Sequence, residues 1–132
     1  MAETSPAERP LSPHLQIYRP MLTTMMSIVH RITGSVLYLG TLLLVWWLVA
    51  AAVSDDAFAT VQAVFSSWIG LIVLFGFTWA LLHHMIGGIR HLYWDTGRGY
   101  DLVTIEWFAR ATIAGSITLT VLLWIIALWV MP

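Results

Sequence analysis

Two adjacent histidines, His83 and His84, stand in a stretch without a charged residue that runs from Ala57 to Ile89. An ionisable side chain inside so apolar a segment is costly, which makes it a candidate for function. Neighbouring helical positions point about 100° apart, so only one of the pair can face a given partner. His84, Gly88 and His91 fall at i, i+4 and i+7, with Gly87 close to the same face, and this stripe offers an imidazole followed by bare backbone. A haem lying against a helix needs an imidazole for its iron and small residues where the macrocycle edge approaches. The same pattern also suits a histidine that hydrogen-bonds between helices, with the glycines as a close-packing face. Spacing alone leaves both readings open.

A second cluster, Ser27, His30, Arg31 and Gly34, falls at i, i+3, i+4 and i+7 at the start of another charge-free run, Ile32 to Ser54. A quinone site needs a hydrogen-bond donor for a ring carbonyl, a charge to stabilise the reduced form and apolar walls. Ser27 and Arg31 supply the polar parts, and Ile28 with the neighbouring methionines the walls. His30 and Arg31 equally suit anionic haem propionates at the membrane boundary. Arg31 also reads as a plain positive anchor at the end of a span. His14, in a proline-rich segment, suits a surface contact. His91, Arg90, Trp94 and Asp95 suggest a boundary with a structural Arg–Asp pair or a contact to a soluble partner. Met25 and Met26 read as packing residues.

The elements that must position these groups are transmembrane helices. The chain has 132 residues, of which 59% are hydrophobic and 10% charged, with a mean hydropathy of +0.82. A third charge-free run extends from Ala111 to Met131. Each run reaches the roughly 20 residues that cross a bilayer, and lipid forces the backbone to satisfy its hydrogen bonds within a helix. The expectation is an all-α integral membrane protein, a single membrane-anchor domain over 1–132. It comprises an N-terminal interfacial segment at 1–26, helix I at 27–54, helix II at 58–91 and helix III at 107–131. The middle run is over-long, so an interfacial turn is expected near Phe58 to Ser67, with the core of that helix from Trp68 to Ile89.

All six basic residues are arginines, placed before the first span or between the second and third. That distribution predicts a cytoplasmic N-terminus and second loop, or the matrix side in a mitochondrial version. Pro6, Pro10, Pro13 and Pro20 prevent a long helix near the start, and Glu3 and Glu8 are unlike an acid-poor transit peptide. The region before the first apolar run is too long for a signal-peptide n-region, so the run reads as a span. Trp94 and Trp107 on one side, with Trp124 and Trp129 towards the other, fit interfacial aromatic belts. Trp46, Trp47 and Trp79 lie deeper, against a partner, a cofactor or lipid. With no cysteine there is no disulfide, no thiolate-held iron–sulfur cluster and no CxxCH haem attachment on this chain. A net charge of −1 offers no field for nucleic acid.

Two stretches together resemble a known family. Arg9-Pro10-Leu11-Ser12-Pro13-His14-Leu15 with Tyr18, followed by Ser27-Ile28-Val29-His30-Arg31-Ile32-Thr33-Gly34, is similar to the first signature of the cytochrome b subunit of succinate dehydrogenase. His84-Met85-Ile86-Gly87-Gly88-Ile89-Arg90-His91-Leu92, with Trp94-Asp95 and Gly97, resembles the second. The resemblance implies that His84, rather than His83, is an axial ligand of the haem b iron, the other ligand coming from a second membrane-anchor subunit. It implies haem propionates near His30 and Arg31, and a ubiquinone site that includes Ser27 and Arg31, to which the residue pattern adds Ile28 as an apolar wall. It further implies a complex with an iron–sulfur subunit and a flavoprotein subunit, with FAD and iron–sulfur clusters only in those partners. This chain would then carry electron transfer and no succinate chemistry, in the inner membrane of a bacterium or, as the second choice, of a mitochondrion. Two alternatives remain: a fumarate reductase anchor working with menaquinol, and a haem-free structural anchor whose histidines bridge helices.

Overall fold

The computed structural model describes residues 17–130, which form four helices: α1 (Leu22–Val53), α2 (Asp55–Ser66), α3 (Trp68–Asp95) and α4 (Leu102–Val130). Three of them, α1, α3 and α4, are long and apolar enough to cross a membrane. At 1.5 Å per residue α1 is about 48 Å long, so it overshoots a hydrocarbon core of about 30 Å. His14 and the other residues before 17 lie outside the described residues.

The helices extend beyond the charge-free runs. Helix I begins at Leu22 rather than 27, α3 continues to Asp95 rather than 91, and the last helix begins at Leu102 rather than 107. Loss of apolar character marks where a helix leaves lipid, and the helical backbone goes on into the headgroup region. Tyr18 Oη donates to Thr24 Oγ1 at 3.1 Å across the start of α1.

The middle run divides at Ser67 into a short helix and a span. Ser54 and Ser67 each sit in extended backbone, and their hydroxyls accept from Ala57 N–H at 3.2 Å and Gly70 N–H at 3.1 Å, capping α2 and α3. Asp55 and Asp56 occupy the first turn of α2, where the helix dipole favours negative charge. α2 joins the far ends of α1 and α3, with Val61 buried. Trp46 and Trp47 turn onto it, their rings 5.9 Å from Phe65 and 5.8 Å from Phe58. Between α3 and α4, Gly97 and Gly99 take φ of +77° and +76°, which a side chain would strain. Trp94 Nε1–H donates to Gly99 O at 3.1 Å across this turn, and Thr104 N–H donates to Asp101 Oδ1 at 2.9 Å to start α4.

α3 is the central helix, packed on α1 along one side and on α4 along another. Consecutive spans run antiparallel, so the start of α1, the end of α3 and the start of α4 share one end of the bundle. The interior is small or polar: Ala80, Gly87, Ala109, Thr33, Thr112, Ser116 and Thr120 are buried, while most leucines, isoleucines and valines of the spans face outward. Lipid tails are as apolar as leucine, so close backbone approach and interhelical hydrogen bonds replace a greasy core. Trp124 departs from its expected place in a belt. It turns inward, half-buried, with Nε1 donating to Thr78 Oγ1 at 3.3 Å and its ring 5.4 Å from Phe75.

Candidate functional site

Of the adjacent histidines, His84 turns to α1 and His83 to α4, as a step of about 100° requires. His84 Nδ1 lies 3.1 Å from His30 O and 3.3 Å from Thr33 Oγ1. A carbonyl oxygen only accepts, so Nδ1 carries the proton and donates it to His30 O. The lone pair of this half-buried imidazole is therefore on Nε2. Histidines that bind metal hold themselves in this way, with the far N–H on a carbonyl and the near nitrogen free.

His30 lies flat against His84, their ring centroids 3.9 Å apart and the planes at 6°. His91, one face further along α3, stands 5.1 Å from His30, and its other neighbour is Trp94 at 5.2 Å. The sequence signatures thus meet in space as one cluster of three imidazoles at one end of the α1–α3 contact. Two glycines make the stacking possible. A Cβ on Gly34 would sit 3.0 Å from His84 Cε1, and one on Gly87 would sit 2.5 Å from His30 Nδ1. Gly88, by contrast, has nothing within 4 Å of where its Cβ would be. The glycine run therefore does both things the sequence suggested: Gly87 is a close-packing residue, and Gly88 leaves open space beside His84.

His83 is a different object. It is 2% exposed, with Nδ1 3.2 Å from Ser116 Oγ and its ring 5.1 Å from Trp79. Ser116 Oγ donates its own proton to Ile113 O at 3.0 Å, so it accepts from His83 Nδ1–H. His83 Nε2 is buried without a partner, enclosed where a large planar ligand has no access. Ser116 is not among the sequence candidates, although Thr112, Ser116 and Thr120 fall at i, i+4 and i+8 and mark a polar stripe along the third span that could have found it. The third span supplies this acceptor.

Ser27, Ile28 and Arg31 lie on the outside of α1, Ser27 half-exposed and the other two exposed. Among the described residues their side chains bond to no other helix. The expected Arg90–Asp95 pair is absent among the described residues. Arg90 is 7% exposed and lies over Trp94, with its guanidinium carbon 4.9 Å from the ring centre.

Comparison with known proteins matches residues 5–127 to the model of the succinate dehydrogenase/fumarate reductase transmembrane subunit. The chain is 48% identical over 122 residues to the succinate dehydrogenase cytochrome b556 subunit of Paracoccus denitrificans, covering 92% of this chain and 94% of the relative. It is 35% identical over 118 residues to the b556 subunit of Rickettsia conorii, covering 89% and 92%. The mitochondrial succinate dehydrogenase cytochrome B subunit of Schizosaccharomyces pombe is 40% identical over 116 residues, covering 83% of this chain and 63% of that protein.

Proposed function

Because this chain belongs to the succinate dehydrogenase/fumarate reductase transmembrane subunit family, we propose that it is the cytochrome b anchor of a succinate:ubiquinone oxidoreductase. In this reading it binds haem b together with a sister anchor subunit and forms one wall of the ubiquinone-reduction site. The observation that carries it is the His84 imidazole, oriented by its Nδ1–H bond to His30 O, with the Nε2 lone pair free and open space at Gly88 along the same face. His84 is the iron ligand this chain contributes. His30 and Arg31, successive residues at the start of the span, hold the propionates by hydrogen bond and charge. Haem bound there supplies one-electron chemistry between the iron–sulfur partner and quinone.

Ser27 and Arg31, one helical turn apart on the outer face of α1, serve the quinone. The Ser27 hydroxyl donates to a ring carbonyl, Arg31 stabilises negative charge as the ring is reduced, and Ile28 packs against its apolar surface. Because these side chains face away from the rest of this chain, the remaining walls come from partner subunits. FAD and iron–sulfur clusters belong to the soluble partners, and the cysteine-free chain has no part in succinate oxidation. The relatives support a bacterial inner membrane, and the arginine distribution supports a cytoplasmic N-terminus.

The purified complex tests both halves of the reading. A reduced-minus-oxidised spectrum should show a b-type haem that His84→Ala removes and His83→Ala leaves in place; the reverse pattern would reject His84 as ligand. In the same preparations Ser27→Ala and Arg31→Ala should each lower quinone reduction by about tenfold or more, the scale of one lost hydrogen bond to a charged group. Succinate oxidation with a soluble dye acceptor should be unchanged in both. Parallel loss of the two activities would place the defect in assembly instead of at the quinone.

A further inference from the structure

Arg90 is the one deeply buried cation among the described residues, and its Nε has no acceptor. Among those residues no carboxylate approaches it, and the Trp94 face covers one side of the guanidinium. It is two turns along α3 from His83, on the same face of the helix. In a lipid-embedded end of a bundle, a guanidinium with unused N–H groups is an anion site in search of its anion.

The surroundings say which kind of anion. Arg90 lines a cavity of about 450 Å³ between α3 and α4, walled by Ile86, Ile89, Tyr93, Phe108 and Ala111. A second cavity, between Leu82 of α3 and Leu119, Leu122 and Ile126 of α4, lies deeper in the membrane. Leu82, Ile86, Ile89 and Tyr93 recur every three or four residues, so they mark one edge of α3. Phe108, Ala111, Gly115, Leu119, Leu122 and Ile126 mark one edge of α4 in the same way. The two cavities therefore lie in line along one α3–α4 groove, and between them a Cβ on Gly115 would sit 3.4 Å from Ile86 Cδ1. From Tyr93 to Leu82 the groove runs about 16 Å, the depth of one bilayer leaflet. A cation at the headgroup level, with an aromatic lip and an apolar trough one leaflet deep, has the shape and polarity of a phospholipid.

We propose that the α3–α4 groove is a structural phospholipid site, in which the lipid phosphate pairs with Arg90 and one acyl chain lies along Ile86, Ala111 and Leu82. The site is separate from the haem and quinone groups, so its success or failure is read independently of them. It accounts for a buried arginine that no described residue neutralises.

Native mass spectrometry of the delipidated four-subunit complex, titrated with dioleoylphosphatidylglycerol, provides the test. The parent complex should take up a lipid that Arg90→Gln weakens by about tenfold or more, equivalent to about 1.4 kcal/mol. Arg90→Lys should recover part of the binding. Ala111→Phe, which fills the trough and keeps the cation, should weaken it as well, and this variant covers the case in which loss of Arg90 impairs folding. An unchanged haem spectrum and dye-linked activity identify the preparations that are assembled. Millimolar inorganic phosphate should not displace the lipid; displacement would reduce the feature to a bare anion site and overturn the proposal. Equal lipid uptake by the parent, Arg90→Gln and Ala111→Phe forms would overturn it too.

Discussion

The two sides of α3 carry adjacent histidines and treat them in opposite ways. On the α1 side, His84 keeps one nitrogen free, its neighbours are cut back to glycine, and open space remains at Gly88. On the α4 side, His83 is enclosed, one nitrogen on Ser116 and the other against packed side chains. The side chain is the same and the sequence context almost so. Each ring gives its Nδ1–H to the partner helix, His84 to the His30 carbonyl of α1 and His83 to the Ser116 hydroxyl of α4; what differs is Nε2, which in His83 is buried without a partner. With Nδ1 engaged in both rings, the space left around Nε2 is what separates a histidine available to a ligand from one that braces two helices.

The largest test of that contrast is steric. Gly87→Val would put a branched side chain into His30, which is held between Gly87 and the His84 ring and cannot retreat without moving both. Overpacking of this kind costs about 1–3 kcal/mol or more. It should separate α1 from α3, so the complex should lose both thermal stability and its haem spectrum. Gly88→Val, a single position away, meets no atom of this chain. It should leave the anchor as stable as before while haem content falls, if the macrocycle edge occupies that space. Stable protein with full haem content in the Gly88 variant would mean that the cofactor lies elsewhere, and the two sides of α3 would lose their functional distinction.

Next in size is the strut. Ser116→Ala removes the acceptor of His83 Nδ1–H and leaves a second buried ring nitrogen without a partner. Interhelical hydrogen bonds in membranes contribute about 0.6 kcal/mol on average and up to about 1.7. Thermal inactivation of the complex should therefore come a few degrees lower, with the position of the haem bands unmoved. A shift in those bands would show that His83 communicates with the haem, against the division of roles between the two histidines.

The sequence made the spans legible because lipid tolerates so few charges: three runs without a charged residue hold the three spans, and the over-long middle run breaks at Ser67 between α2 and α3. It did not reveal how far each helix extends, since Arg31, Arg90, Glu106 and Arg110 are helical residues beyond the apolar limit. Glu106 and Arg110 even pair at 2.5 Å within α4. His84 was legible as a candidate through its spacing to Gly88 and His91. Its orientation was not, because the deciding atom is the backbone oxygen of His30, and every residue has one. The function of Gly34 was hidden for a related reason: a missing side chain acquires meaning only when the ring that fills its place, that of His84 from another helix, is known.

The finest distinction concerns the carbonyl behind His84. His30 O accepts from His84 Nδ1 at 3.1 Å and also from the Thr33 hydroxyl at 2.9 Å, so two side-chain donors share one helical carbonyl. Thr33→Val keeps nearly the same volume, removes the competing side-chain donor and leaves the carbonyl to the imidazole and the helical N–H of Gly34. The Nδ1–H bond should strengthen, which makes Nε2 a better electron donor and favours the oxidised metal. If roughly 0.5 kcal/mol of hydrogen-bond energy is transferred in this way, the midpoint potential of the haem should fall by about 20 mV for one electron. Redox titration of the complex resolves a change of that size. A rise would mean that Thr33 Oγ1, 3.3 Å from Nδ1, acts chiefly as a second acceptor for His84 and not as a rival for its carbonyl. The same substitution at Thr112, whose hydroxyl donates to Phe108 O on the α4 side, has no path to that imidazole and should leave the potential where it is.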